Sequence, residues 1–424
     1  MRVMNTSLAM MTAAYERHKR KKESKRIRKV NEANRGIVRL GCVDGDTLFP
    51  TGEDTGSTVI SGGDAAQRSS LAAACCIGSI RRGTAVILLH EGSAPLVSAL
   101  TRGCPAGGYL RAVSASSPYY DPIYGLNDDE ISRLVCGASP KEQKLGAEGA
   151  VYIKAISEML RIKGITPYLR MFSSCPHWAL GEELVKLEHA GRISAAEADA
   201  VRSRLTAGAP ARANIDSFFA GLEAEGDILV WKSGLSRCTS ASECIRSGGL
   251  LMIDVTSFSR RSLIALLTAE LKACAAGGYR FRIAADTASL AGCDELVSLL
   301  MTPSASVSFT LSTPDLSALT GSSQNPASRW LALSHKSVLF SHGQHAAELL
   351  SSELGEYDRI DVTETMIGSG AFGSMGLHCG GNSGLTETVK RDRIILPEDI
   401  RGLGRGEFIM LNNRNASVSR GTLK

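Results

Sequence analysis

The chain has 424 residues, of which 43% are hydrophobic and 21% are charged, and its formal net charge is +5. This composition predicts a globular protein with a large buried core, divided into two units rather than one. It contains no apolar run near the roughly 18 residues that span a bilayer. Its basic block lies after the short apolar stretch 8–14, whereas in a secretory signal the basic residues come first, and its eleven cysteines include no C-x-x-C pair. These features argue against a membrane-spanning, exported or disulfide-based protein and favour a soluble or peripheral one in a reducing cytoplasm.

Residues 1–35 are predicted to form a basic N-terminal tail. Its basic residues are Arg17, Lys19, Arg20, Lys21, Lys22, Lys25, Arg26, Arg28 and Lys29. The remainder of the chain is near neutral or slightly acidic, so this tail is the basic partner surface. A tail of this kind is most often a solvated arm, disordered or helical, and binding to an anionic membrane surface or a nucleic acid is the alternative.

Residues 36–117 alternate short apolar strands with helical stretches. We predict strands at 38–40, 58–61 and 85–89, the last one buried and parallel, with a helix of small residues from 68 to about 80 between the second and third. This pattern is typical of a βαβ unit.

A phosphate loop is predicted where the strand at 58–61 meets the following helix. Against the frame G-x-x-x-x-G-K-[ST], Gly62 takes the first glycine position, Gln67 the second, Arg68 the lysine and Ser69 the hydroxyl. Main-chain N–H groups and a helix N-terminus could face an anion there. The residues predicted to bind a nucleotide are Gly62, Gly63, Asp64, Arg68, Ser69, Ser70 and, further along the chain, Asp286. A Gly-Ser turn without a ligand is the alternative.

Residues 118–245 change to helical periodicity and are predicted to form an all-α domain, with helices at 151–163, 177–188 and 194–205. Strand patterns return in residues 246–415 at 249–254, 279–286, 306–311, 337–340 and 407–411, with helices at 261–275 and 294–300. Residues 416–424 are predicted to be a C-terminal tail. The fold class is therefore α/β, a mostly parallel sheet interrupted by a helical insertion.

The order of several segments resembles the type IV coupling ATPases of conjugation and secretion systems, the TraG/TraD group of hexameric FtsK/HerA-like motors. The segments are the loop at 62–70, His90-Glu91-Gly92 after a strand, 117–122 before the helical region, 282–296 as a Walker B segment, 309–319 as a sensor strand and 396–407 as a closing turn. The resemblance covers residues 36–415. It implies a RecA-like P-loop NTPase core, ATP with Mg²⁺ held through water by Asp286, and a homohexamer.

The sequence departs from this family at the positions that carry the chemistry. The lysine position of the loop is Arg68, the Walker B glutamate position is Thr287 and the sensor glutamine position is Pro314, whereas Asp286 is retained. Arginine is not an equivalent point charge, threonine is no carboxylate base, and proline has neither an amide side chain nor an N–H group. The departures imply a hydrolysis-deficient scaffold or adaptor with weak or absent ATP/Mg²⁺ binding. The alternative is an active hexameric ATPase that drives DNA or protein translocation.

Further expectations follow from the resemblance. The basic tail stands where the family's N-terminal transmembrane helices would end, which implies a truncated or split coupling protein, or a soluble paralogue, located in the cytoplasm and peripheral at the inner membrane. Its expected partners are other coupling or secretion-system subunits, with DNA or a relaxase or effector as cargo. A second glycine motif at 368–373 is predicted to be a flexible loop without a ligand, and His335, His342, His345 and His378 are predicted to be structural.

Overall fold

The computed structural model describes residues 2–424 except 51–55, 115, 118, 140–143, 170, 173–176, 225–237, 258–259, 287–289, 291–292, 303, 317–325 and 368–381. The chain divides into two compact units, a central unit of residues 44–338 and a terminal unit of residues 1–43 and 339–424. The strands are β1 Val38–Val43, β2 Thr58–Ser61, β3 Ala85–His90, β4 Leu110–Val113, β5 Leu250–Asp254, β6 Phe281–Asp286, β7 Val307–Thr313, β8 Lys336–Leu339, β9 Glu356–Ile367, β10 Asn382–Arg393, β11 Glu407–Asn412 and β12 Ser417–Leu423.

The α-helices are α1 Arg2–Arg35, α2 Gly45–Leu48, α3 Ala65–Arg81, α4 Ala94–Gly103, α5 Asp128–Ala138, α6 Gly146–Ile162, α7 His177–His189, α8 Ala195–Gly208, α9 Arg212–Ala224, α10 Ala241–Ser247, α11 Arg260–Ala276, α12 Asp294–Met301, α13 Pro326–Leu333, α14 Gln344–Glu353 and α15 Pro397–Arg401. None of those in the described ranges is both long and apolar enough to cross a bilayer.

The central unit is built on a parallel sheet. Its strands follow the order β8-β2-β7-β6-β3-β5-β4, and each neighbouring pair from β2 to β4 is parallel. Strands β2 and β3 are buried at every residue, as expected for strands covered on both faces. The predicted α/β fold with a mostly parallel sheet is confirmed.

Helices occupy the described chain between β4 and β5, apart from two isolated bridges. Several start with residues that satisfy the free N–H groups of the first turn: Asn127 and Glu130 form a capping box at α5, and Ser194 and Glu197 form one at α8. The apolar faces of α5 to α9 gather around one core that includes Ile153, Leu184 and Phe219, and α11 adds Leu266 and Ala269 to it. This helical layer was predicted from periodicity, and the domain boundaries at 118 and 245 stay predictions.

The strands of the terminal unit fall into two groups. Strand β12 pairs in parallel with β1 and antiparallel with β11, and β9 and β10 form a long antiparallel hairpin. Helix α1 packs along β9. Residues 1–35, predicted as a basic N-terminal tail, contain α1. Residues 416–424 were predicted to be a C-terminal tail, whereas the structure places β12 there, paired between β1 and β11.

Candidate functional site

The loop after β2 is shorter than a phosphate loop. Only Gly62, Gly63 and Asp64 separate β2 from α3, because the helix starts at Ala65 rather than near residue 68 as predicted. Both glycines have positive φ angles, 80° and 62°, which side chains with a Cβ rarely adopt. The N–H group of Gly62 donates to the main-chain oxygen of Thr313 on β7 at 3.0 Å, which ties the loop to the neighbouring strand.

The early start of α3 comes from a capping box. The Asp64 carboxylate accepts a hydrogen bond from the Gln67 N–H group at 2.8 Å, and the Gln67 side chain accepts one from the Asp64 N–H group at 3.3 Å. Of the residues between the two glycine positions of the motif, Ala65 and Ala66 therefore belong to the first helical turn. The helix N-terminus, which would attract a phosphate, already holds a carboxylate of the chain itself.

Arg68 also turns back onto this loop. Its Nη1 atom donates to the main-chain oxygens of Gly62 at 3.0 Å and Gly63 at 2.7 Å. Burial lowers the pKa of the half-buried Arg68, and the charges of Asp64 and Asp286 oppose this shift. Ser69 and Ser70 lie in the second turn of α3 rather than at its N-terminus. Ser69 is half-buried and Ser70 is exposed.

Asp286 ends β6 at the same edge of the sheet as this loop. It is in register with Ser312 of β7, and β7 pairs with β2 on its other side. The sequence predicted that the loop and Asp286 meet at the carboxyl edge of one sheet. They do share that edge, although β7 separates their strands, and Asp286 acts electrostatically on Arg68.

The structure adds two residues to this edge that motif reasoning missed as site residues. Asp254 ends β5 in register with His90, the last residue of β3, and β3 also pairs with β6. His90 is only 8% exposed, and its Nδ1 atom has no hydrogen-bond partner within the described part of the chain. Burial lowers the pKa of His90 and outweighs the opposing effect of the charges of Asp254 and Asp286. Because the pKa lies below its ordinary value, the imidazole is neutral at neutral pH. The signal available in the sequence was that both residues end apolar strands.

Some predicted positions can be placed and others cannot. Pro314 directly follows β7, next to this edge. Thr287 and the second glycine motif at 368–373 lie outside the described residues, as does His378. The Nδ1 atom of His335 accepts a hydrogen bond from the Ser57 N–H group at 3.0 Å. The Nδ1 atom of His342 lies 2.6 Å from the main-chain oxygen of Phe340.

Comparisons with known proteins give the fold. No protein-family model and no curated protein match the sequence. Several solved structures do resemble the chain. One is the bacterial conjugative coupling protein TrwBdeltaN70 in an unbound form, with 16% identity over 91% of this chain and 88% of that one and a TM-score of 0.50. Another is plasmid coupling protein TrwB with the ATP analogue ADPNP, with 14% identity, 91% and 89% coverage and a TM-score of 0.51. TrwB with the GTP analogue GDPNP has 15% identity, 91% and 89% coverage and a TM-score of 0.50. The resemblance predicted from the sequence is thus confirmed at the level of architecture, and the chain has the fold of the conjugative coupling proteins.

Proposed function

We propose that the protein is a coupling-protein-like subunit of a type IV secretion or conjugal DNA-transfer system that acts as a scaffold or adaptor and does not hydrolyse ATP. The structural likeness to TrwB supports the assignment to such a transfer system, because it extends over 91% of this chain. The observation that carries the scaffold role is the capped α3: the Asp64 carboxylate stands at the helix N-terminus and Arg68 is bonded to Gly62 and Gly63.

ATP with Mg²⁺ does not fit this arrangement well. TrwB has been solved with an ATP analogue, so the fold as such can hold a nucleotide. In this chain, a phosphate approaching α3 would meet the negative charge of Asp64 at the helix N-terminus, and Arg68 would have to break its hydrogen bonds to two carbonyl oxygens before it could bind that phosphate. Asp286 could still hold a Mg²⁺ ion through water. The resemblance implies a glutamate that polarises the attacking water at position 287 and a glutamine that contacts the γ-phosphate at position 314, and Thr287 and Pro314 supply neither group.

The same proposal includes the partners and the location. The scaffold would contact other coupling or secretion-system subunits, with DNA, a relaxase or an effector as cargo, and would assemble as a homohexamer. It would act in the cytoplasm, peripheral at the inner membrane. The alternative is an active hexameric ATPase that drives translocation, which is favoured by the position of Arg68 within the electrostatic reach of Asp286.

An ATP turnover assay with and without DNA separates the two functions. We expect no sustained hydrolysis by the purified protein. Sustained hydrolysis that both Arg68→Ala and Asp286→Ala abolish would refute the scaffold role.

Nucleotide binding measured by titration calorimetry tests the capped helix itself. Asp64→Asn keeps a cap of similar quality but removes the negative charge. We therefore expect Asp64→Asn to bind ATP with Mg²⁺ more tightly than the parent and still not to turn it over. Asp46→Asn, on the neighbouring short helix α2, is the matched control and should bind like the parent.

A further inference from the structure

Helix α1 presents a dense block of positive charge. Residues 17–29 contain nine basic side chains and one acidic side chain, Glu23. At a rise of 1.5 Å per residue this block is about 18 Å long. All nine basic residues are exposed. A block of this kind on a helix is a candidate interaction surface. Which partner it fits depends on which faces of α1 remain exposed.

One side of α1 is occupied by β9. The Asn31 side chain donates to the Ile360 oxygen at 3.0 Å and accepts from the Ile360 N–H group at 2.8 Å, and Asn34 donates to the Asp358 oxygen at 3.1 Å. Ile27 is half-buried and lies one turn before Asn31. Residues 27, 31 and 34 share a helix face because they are spaced by four and three. This face therefore belongs to the terminal unit itself.

The opposite face of α1 carries four lysines. Lys21, Lys25 and Lys29 follow one another at intervals of four residues, and Lys22 lies beside them. All four are exposed, and none forms an ion pair with a described residue, unlike Arg26 with Glu23 and Glu387 or Arg28 with Glu32. We call these four residues the lysine face. It points away from β9 and offers an uncompensated positive strip to an outside partner.

The chemistry around the lysine face favours a lipid bilayer over a nucleic acid. The same helix continues toward its N-terminus through residues 3–14, which contain no charged residue and include Val3, Leu8 and two adjacent methionines. An anionic bilayer can take both parts, because the headgroups attract the lysines and the acyl boundary takes the apolar part. A nucleic acid can use only the charges. Lysine, a flexible point charge, also suits mobile headgroups better than fixed bidentate contacts.

We infer that the lysine face docks α1 on an anionic phospholipid bilayer, with residues 3–14 entering the interface between headgroups and acyl chains. Neither element is sufficient alone: the charges attract the helix to the surface, and the apolar part holds it there. The inference deepens the proposed peripheral location. It rests on that proposal only for the identity of the membrane, the inner membrane.

Co-sedimentation of the full-length protein with lipid vesicles tests this docking. The vesicles contain phosphatidylcholine alone or phosphatidylcholine with phosphatidylglycerol, at low and at near-physiological salt. We expect binding to the anionic vesicles only, weakened by salt. The variant Lys21→Gln/Lys22→Gln/Lys25→Gln/Lys29→Gln should lose about 100-fold or more in affinity, because each basic residue near an anionic surface contributes several-fold. Circular dichroism checks that its helix content is unchanged.

A matched variant removes the same charge elsewhere. Its four substitutions, Arg133→Gln, Lys186→Gln, Arg212→Gln and Lys272→Gln, lie on exposed positions of other helices. It should bind the anionic vesicles within a few-fold of the parent. Equal losses in both variants, equal binding to neutral vesicles, or a lysine-face variant that keeps vesicle binding but loses affinity for duplex DNA would each overturn the inference. Nucleotide plays no part in the assay, so its outcome is independent of whether the scaffold proposal fails.

Discussion

Removing the buried carboxyl group of Asp121 should change how the stability of the protein depends on pH. Asp121 is fully buried between β4 and α5, and it accepts hydrogen bonds from the N–H groups of Ile123 at 3.1 Å and Leu169 at 3.4 Å. Burial, with a further contribution from the charge of Glu270, raises its pKa to about 8. The carboxyl group is therefore protonated in the folded protein at neutral pH and ionised in the unfolded chain.

The sign and size of the effect follow from proton linkage. Between the ordinary pKa of aspartic acid, about 4, and the folded value, the folded state binds one proton more than the unfolded state. The free energy of unfolding therefore falls as pH rises through this range, by about 1.4 kcal/mol per pH unit. From pH 5 to pH 7 the contribution of Asp121 declines by about 3 kcal/mol. Glu270, whose pKa burial raises to about 7, acts in the same direction, whereas His90 acts in the opposite one.

The variant Asp121→Asn isolates this contribution, because its amide has no proton to lose and the effect of His90 is the same in both proteins. Urea denaturation followed by circular dichroism from pH 5 to pH 8 gives the stability difference between parent and variant. We expect the parent's advantage to shrink by about 1.4 kcal/mol per pH unit from pH 5 to pH 7, and by less per unit as the pH approaches the folded pKa of about 8. The control Asp129→Asn should give a constant difference, because hydrogen bonding to Lys154 lowers the pKa of the exposed Asp129. Parallel stability curves for parent and Asp121→Asn would refute the reasoning.

Two matched pairs of substitutions test the packing of the central unit by the same denaturation assay. A Cβ on Gly249 would lie 2.3 Å from the Tyr109 main-chain oxygen, so Gly249→Ala should destabilise by about 1–3 kcal/mol, whereas Gly181→Ala, in open space on α7, should stabilise slightly. Leu184 is fully buried in the helical core, so Leu184→Ala should cost about 2–5 kcal/mol, while Val185→Ala, at a 41% exposed position, should change stability by at most about 0.5 kcal/mol. Equal effects within either pair would contradict the packing described here.

The sequence alone predicted the elements whose buried residues form an apolar run or recur with the period of a helix or strand. The helix predicted at 261–275 is Arg260–Ala276, and the strand predicted at 279–286 is Phe281–Asp286. The hairpin β9–β10 escaped prediction because its strands carry charged residues on both faces, so they lack an apolar run. Strand β12 also escaped prediction, because it contains Gly421 and glycine is unfavourable inside strands. A Cβ at position 421 would lie 2.8 Å from the Phe408 ring, so close packing rather than strand propensity accounts for this glycine.

The edge of the parallel sheet shows where motif reasoning ends. The sequence located the ends of β2, β3, β5 and β6, but strand order is a tertiary property, so the position of β7 between the loop and Asp286 could not be read from spacing. For the same reason His90 and Asp254, which are far apart in the chain, were not recognised as neighbours.

The loop itself shows how two departures from a motif can be one structural change. Compared with the phosphate-loop frame, Gln67 reads as a missing glycine and Asp64 as an arbitrary residue. In the structure they are the two halves of one capping box, and each satisfies an N–H group of the other. That box starts α3 early, shortens the loop to three residues and places a carboxylate at the helix N-terminus, while Arg68 fastens to the two glycines that remain. Replacing Arg68 by lysine alone would therefore restore the letter of the motif without opening a cradle. Asp64 would still accept from the N–H group of Gln67 through its side chain and from the N–H group of residue 68 through its main-chain oxygen, and its carboxylate would still stand at the helix N-terminus.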